Sequence, residues 1–401
     1  MRTWDIQQGD CLDLLRALPD NCIDAIVTDP PYGLSPDGRC RTWDDIESGR
    51  KGGGFMGKQW DAAVPGVTWA RECLRVCKPG AHIVAFGGQR TIHRLICGLE
   101  DAGWEIRDLG AWQQWQGFPK SLAVGKAIDA HHGAEREVVG HADRKTGPGR
   151  HLAALAGNPG ESATPSITAP ATEDARRWEG YGTALKPCLE PWTLARKPLD
   201  GTVAANVLRW GTGAINVDGC RYGYGDPAWP GPQGDPGGRH NSADRSGSPT
   251  VHLPPVSLDS HDLGRWPANV YACPKASRAE REAGCGHLKG RAGFEAVERT
   301  EGSAGLDNPR AGAGRTAGEV RNHHPTVKPT ALMAWLCRLV GGQPGSLILD
   351  PFCGSGTTGI AALREGFRFL GFELDPEYIQ IAEARIAGDA PLLNRRESVL
   401  G

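Results

Sequence analysis

The sequence predicts an α/β protein whose core is a parallel or mostly parallel sheet covered by helices on both faces. Three observations carry this. Apolar runs of strand length alternate with stretches of helical spacing at both ends of the chain. The strand-like runs are continuously apolar, as strands buried on both faces must be. A glycine-rich turn joins one strand directly to a helix, the junction typical of such folds.

In order, "TWDIQQ" (3–8) reads as a short strand, "CLDLLRAL" (11–18) as a helix and "CIDAIVT" (22–28) as a buried strand. "TWARECLRVCKPG" (68–80) has helical spacing ending at a Pro-Gly stop, and "AHIVAFGG" (81–88) is the strand after it. "TIHRLICGLEDAG" (91–103) is a helix closed by glycine, followed by strand "WEIRDLGAWQQW" (104–115). "ALKPCLEPWTLARKPL" (184–199) looks like a return to the sheet, and "NHHPTVKPTALMAWLCRLVGG" (322–342) carries an amphipathic helix. Last come strand "SLILD" (346–350), helix "TTGIAALREG" (357–366) and strand "RFLGFEL" (368–374). No internal repeat is visible.

The middle breaks this rhythm. Residues 34–60 contain "GRKGGGFMGKQW", a plain connector or a loop that closes over a ligand, and 221–262 are dominated by Gly, Pro, Ser and polar residues. Such composition cannot pack a core. The expected organisation is a first half of the fold at 1–129, a flexible insertion at 130–177, a return to the sheet at 178–220, a second insertion at 221–320 and the last half at 321–401.

The 401 residues carry a net charge of −2, so any nucleic-acid binding must come from a local basic face. The polar N-terminus lacks the apolar stretch of a signal peptide, and no apolar run approaches the ~20 residues needed to span a bilayer. A soluble, cytoplasmic protein is expected. The twelve cysteines sit mostly singly in apolar patterns and read as small buried hydrophobes. Cys273, Cys285 and His287 could supply three zinc ligands, but no fourth is visible and the spacing fits no standard finger, so no metal is expected.

The richest stretch is 346–386. Gly354, Gly356 and Gly359 follow a strand and open a helix, a pattern that lets a ligand approach the backbone at a helix N-terminus. Glu373 ends the next strand, where a carboxylate can take a ribose diol. A nicotinamide-dependent oxidoreductase is the obvious rival. Against it, the strands needed to complete the sheet must come from the N-terminal half, so the order is permuted. Asp350 also stands directly before the loop, and an acid there suits an amine better than a pyrophosphate.

"IVTDPPYG" (26–33) ends a buried parallel strand at the carboxyl edge, where ligands bind in such folds. Pro30 and Pro31 fix φ and remove two donors, leaving outward carbonyls as rigid acceptors. Asp29 adds another acceptor and Tyr32 a flat face. Together they make a cradle for a planar group bearing an exocyclic NH2; the plain alternative is a loop start with a capping Asp.

"DPPYG", then "HPTVKP", then "DPFCGSGTT" resembles the amino-methyltransferases of DNA, in the permuted order that places the catalytic tetrad before the cofactor loop. The resemblance covers about 1–125 and 320–390 and extends weakly through 180–200. It implies a Rossmann-like seven-stranded methyltransferase sheet with one antiparallel strand, S-adenosyl-L-methionine as methyl donor and a flipped base of double-stranded DNA as acceptor. By the same resemblance, Asp29, Pro30, Pro31 and Tyr32 are catalytic. Phe352, Gly354, Ser355, Gly356 and Thr357 cradle the methionine part, Asp350 favours its ammonium group, and Glu373 takes the ribose hydroxyls. His324, Pro325, Thr326 and Lys328 form a further cofactor motif, Lys328 facing the methionine carboxylate, and Asp10 lies near the adenine. A bacterial or phage gene and a homodimer are compatible with the resemblance.

Hydrogen bonds from a base amine to Asp29 and the Pro30 carbonyl would draw its nitrogen toward sp3 geometry, with Tyr32 stacking on the base. No cysteine nucleophile of the carbon-5 type is indicated. Aspartate opening the tetrad fits adenine N6 better than cytosine N4, where serine is more usual in the family; it also tilts away from RNA or protein-glutamine transferases, which usually have asparagine. A non-catalytic DNA-binding relic is disfavoured by the intact motifs. DNA reading is expected within 200–320, with Arg265, Lys275, Arg278 and Arg281 as phosphate contacts, weighed against a solvated helix balanced by Glu280 and Glu282.

Overall fold

A computed structural model describes residues 2–34, 40–48, 61–117, 121–141, 166–223, 226–228, 264–291, 319–390 and 394–399. The segment 49–60 and most of 221–262 lie outside the described residues. The chain divides into two compact units, one of residues 1–116, 189–292 and 318–401, the other of 117–188 and 293–317.

The first unit is built on one sheet. Its strands are β1 (Arg2–Gln8), β2 (Ile23–Thr28), β3 (Cys77–Phe86), β4 (Glu105–Gln113), β7 (Leu189–Arg196), β8 (Val270–Ala272), β9 (Leu347–Asp350), β10 (Arg368–Glu373) and β11 (Asn394–Arg396); β5 (Val138–His141) and β6 (Ser166–Thr168) belong to the second unit. The order is β11-β1-β10-β9-β2-β3-β7-β4-β8. Seven strands form the body and a three-residue strand extends each edge, β11 and β8. All neighbouring pairs are parallel except those of β7, which runs antiparallel to both β3 and β4. A seven-stranded sheet with one reversed strand is therefore observed, lengthened by two short edges.

Burial on both faces explains the apolar runs. Every residue of β2 is buried. Ala25 and Val27 enter the core on one side with Ile348, Leu336 and Ile360. Ile26 enters the other with Leu15, Trp69 and Leu349. The helices Thr330–Val340 and Thr357–Arg364 cover the first face; Cys11–Ala17, Val67–Val76 and Ile92–Asp101 cover the second. The helix Val67–Val76 ends before the Pro79-Gly80 stop that its sequence implies. The helix ends at Val76 and β3 starts at Cys77, because Cys77 already pairs with Ile23 across an irregularity in β2.

The most consequential pairing is that of β2 with β9, Ala25 against Ile348 and Ile26 against Leu349. It sets the end of "IVTD" beside the end of "LILD" on one edge. The parallel strands β1, β10 and β3 end there too, and the reversed strand β7 brings its N-terminal residues to the same edge, Trp192 lying opposite Phe86.

In the second unit, helix Val124–His131 packs near Glu173–Arg177, and β5 pairs antiparallel with β6. Asp129, the residue just before the segment expected to be flexible, is a buried anchor for it. It accepts from the Ala171 and Thr172 amides, the Thr172 hydroxyl and Arg136. No helix among the described residues is long and apolar enough to cross a membrane.

Candidate active site

Two strand ends make the centre. Thr28, the last residue of β2, donates its hydroxyl to Asp350 Oδ1 at 2.6 Å, which ties the tetrad to the glycine loop. Asp350 also accepts from the Phe352 amide at 3.0 Å and the Thr358 hydroxyl at 2.6 Å. At 2 % exposure its carboxylate faces the protein and braces the turn. Burial lifts its pKa to about 6 against these three donors. These three donors fix Asp350 at the end of β9, where a cofactor ammonium was expected to meet it.

Asp29 lies just beyond. Its Oδ1 accepts from the Tyr32 hydroxyl at 2.8 Å and its Oδ2 from Lys328 Nζ at 2.5 Å. Lys328 Nζ is also 3.1 Å from the Tyr32 hydroxyl and 3.4 Å from Glu190 Oε2, and it sits over the Phe86 ring. Tyr32 also reaches Glu190 at 3.3 Å. Lys328 was expected at a methionine carboxylate; the structure spends it on Asp29 and Glu190. Burial works against its charge, but the two carboxylates outweigh burial and hold the ammonium protonated. Burial pushes the Asp29 carboxyl upward, opposed by Lys328. Burial, then Asp29 and Glu190, keep the Tyr32 phenol firmly neutral.

Two members of this cluster escaped the sequence. Glu190 arrives only because β7 is reversed, so that its first residues reach the edge where β2 and β9 end. Asp61 caps the tetrad from below: its Oδ1 accepts from the amides of Tyr32 at 2.8 Å and Gly33 at 3.0 Å. Those are the first amides after two prolines, which offer none. Gly33 turns there at φ +60°, with the backbone of Ala63 and Val64 where a Cβ would lie. No motif spacing signals either acid.

The glycine loop is built for close approach. Gly354 and Gly356 take φ of +51° and +78°; a Cβ on Gly354 would lie 2.7 Å from His324 Nε2. Glu373 is half-buried and accepts from the amides of Gly354, Leu374 and Asp375. Phe352 packs between Trp43 and Trp69, both with centroids 5.7 Å away. Asp10 follows β1 beside Glu373, since the Gly9 amide donates to the Glu373 carbonyl, and its side chain caps the helix Cys11–Ala17. Ser355 and Thr357 both take hydrogen bonds from Arg385.

His324 stacks edge-on to Tyr378 at 4.6 Å and takes the Thr326 amide on Nδ1. Burial, followed by Arg281, Arg385 and Lys328, lowers it to a pKa of about 3, so it is neutral. Pro325 and Thr326 are exposed beside it.

The four expected phosphate contacts do not form one basic face. Arg281 donates to the His324 carbonyl at 2.7 Å and Arg278 to the Glu319 carbonyl at 2.8 Å. The helix is a single short element, Arg278–Glu282, with no buried residue. Its acids are structural too: Glu280 caps Thr330, and Glu282 takes the amides of Arg321 and Asn322. The reason is local. This segment braces the loop that carries His324 and Lys328. Lys275 is exposed, and Arg265 pairs through its backbone with Tyr222.

Among the described residues no cluster of three or more His, Cys, Asp or Glu is arranged to hold a metal. The donor set fits S-adenosylmethionine instead: a loop whose glycines a Cβ would obstruct, and carboxylates at the ends of β9 and β10.

The family model described as DNA methylase matches residues 23–131 and 229–384, which contain all three motifs. Over 96 residues the chain is 36 % identical to the type II methyltransferase M.Cfr9I of Citrobacter freundii, a match spanning 24 % of this chain and 32 % of that protein. Over 66 residues it is 46 % identical to the type II methyltransferase M2.DpnII of Streptococcus pneumoniae, spanning 16 % of this chain and 24 % of the relative. The matched segments thus cover a third or less of these relatives' length. Among solved structures, PvuII DNA methyltransferase, cytosine-N4-specific, aligns with TM-score 0.46 and 14 % identity over 96 % of this chain and 86 % of that one. The M1.HpyAVI–SAM complex aligns with TM-score 0.39 and 15 % identity over 96 % and 99 %.

Proposed function

The chain belongs to the DNA methylase family, and on that premise we propose that it transfers a methyl group from S-adenosyl-L-methionine to the exocyclic amine of a base flipped out of double-stranded DNA. Adenine N6 is favoured over cytosine N4 because the tetrad opens with aspartate. The observation that carries this reading is the 2.6 Å bond between Thr28 and Asp350, which sets the amine cradle beside the cofactor loop on neighbouring parallel strands.

When bound, the cofactor supplies a methyl group on a positively charged sulfur. Gly354, Ser355, Gly356 and Thr357 would hold its methionine part, and Glu373 its ribose. The rest is the work of this chain's residues. An exocyclic amine is a poor nucleophile while its lone pair is spread into the ring. Asp29 accepts a hydrogen bond from it, as does the Pro30 carbonyl, and both favour a pyramidal nitrogen. A carboxylate has about four acceptor directions, so Asp29 keeps room for the amine beside Tyr32 and Lys328. Lys328 and Tyr32 fix its orientation before the base arrives, and such positioning supplies much of the rate. Asp29 is also placed to take the proton that the amine loses.

Labelled S-adenosylmethionine and plasmid DNA, followed by digestion to nucleosides, test the reading. Label in N6-methyladenine is expected and Asp29→Ala abolishes it. Label in N4-methylcytosine would reverse the base assignment alone. Label in 5-methylcytosine, or undiminished transfer by Asp29→Ala, refutes the proposal. A homodimer, which rests on the resemblance alone, is read by sedimentation of the same preparation.

A further inference from the structure

Arg385 lies in the helix Pro376–Asp389 under the glycine loop and is 1 % exposed. Its Nη1 donates to the Ser355 carbonyl at 2.5 Å, to Ser355 Oγ at 3.0 Å and to Thr357 Oγ1 at 3.0 Å. Its Nη2 is 3.5 Å from the Glu280 carbonyl, and its buried Nε has no partner. Every one of these acceptors is a neutral oxygen. A guanidinium cannot shed its proton in a protein, so a full positive charge stands in a dry site with no carboxylate hydrogen-bonded to it; Glu280 acts on it only through space, its own carboxylate accepting from the Thr330 amide. Burying a charge in this way is costly unless a counter-charge completes it.

The direction of the hydroxyl bonds adds a second constraint. Thr28 and Thr358 donate their protons to Asp350. Ser355 and Thr357 stand the other way round. Because a guanidinium only donates, their oxygens accept from Arg385 and their own protons remain available to a ligand acceptor. Two such hydroxyls backed by a cation, on a loop whose glycines leave room, make an anion site. Lys328 cannot fill this role while Asp29 and Glu190 hold it.

We propose that Arg385, acting through Ser355 and Thr357, is the positioning residue for the α-carboxylate of the methyl donor, in place of Lys328. This rests on the methyltransferase reading given above. Arg385 then sets the preference for a donor that carries a carboxylate over one that lacks it.

Titration calorimetry on the full chain compares S-adenosylmethionine with its decarboxylated analogue. The wild type is expected to prefer the former by about tenfold or more, the scale of one charge-assisted hydrogen bond. Arg385→Met should shrink that preference to about twofold while changing analogue affinity by less than about threefold; Arg385→Lys should retain most of it. Equal loss of both ligands would make Arg385 a structural brace and overturn the proposal, as would an undiminished preference in Arg385→Met. Should Arg385→Met fail to fold, Ser355→Ala carries the same test, with a partial loss of preference expected and no change refuting it. A wild type that binds neither ligand would instead sink the methyltransferase reading itself.

Discussion

Replacing Lys328 with methionine keeps most of the side-chain volume and removes the cation facing two carboxylates. In the native protein Nζ lies 2.5 Å from Asp29 and 3.4 Å from Glu190, and the residue is 5 % exposed. Removing one partner from such a buried pair leaves an uncompensated charge, at a cost of about 3–5 kcal/mol. The pH dependence separates this from a simple packing loss. Without the cation, burial and Glu190 both push the Asp29 carboxyl above its unfolded value. A carboxyl raised in this way favours folding while protonated. The deficit is therefore smallest below the unfolded pKa of about 4 and grows as pH rises through the folded value. Urea unfolding followed by tryptophan fluorescence, from about pH 5 to about pH 8, measures it on Lys328→Met and on Lys328→Met/Glu190→Gln. The single variant should lose at least about 1 kcal/mol more at the alkaline end than at the acid end. The second substitution should return a large part of that. A deficit independent of pH, or no rescue by Glu190→Gln, refutes the charge-compensation argument.

Three further outcomes are expected. Asp61→Ala strips the acceptor from the Tyr32 and Gly33 amides, which costs about 1–3 kcal/mol per orphaned group; methyl transfer should fall with it, and Asp61→Asn should restore part of both. Thr358→Val deletes a donor to Asp350, whose pKa burial has already lifted to about 6. Its loss of about 1.5–3 kcal/mol should show in urea titrations above that pH and fade as Asp350 protonates below it. Gly110→Ala would put a methyl 2.0 Å from Trp192 Cζ2 across the β4–β7 pair; thermal unfolding should show a destabilisation of about 3 kcal/mol.

Read from sequence alone, the chain yielded what is contiguous. The tetrad Asp29–Tyr32 and the loop Phe352–Thr357 are each a few residues long, and their chemistry follows from residue type and from the strand or helix beside them. The alternation of strands and helices was legible for the same reason: periodicity is a local property. The pairing of Lys328 with Asp29 and Glu190 was not legible, because a side chain's partner depends on what other segments bring to it. The pairing of β2 with β9 decides that Thr28 and Asp350 touch. The reversal of β7 decides that Glu190 faces Lys328, and the packing of Pro376–Asp389 decides that Arg385 lies under the loop. Asp61 reaches the tetrad across a connection that carries no motif. These are contacts between residues far apart in the chain, fixed by burial of apolar faces on a common sheet. No spacing rule encodes them, and charge balance in a dry site becomes visible only once the folded chain has removed the water.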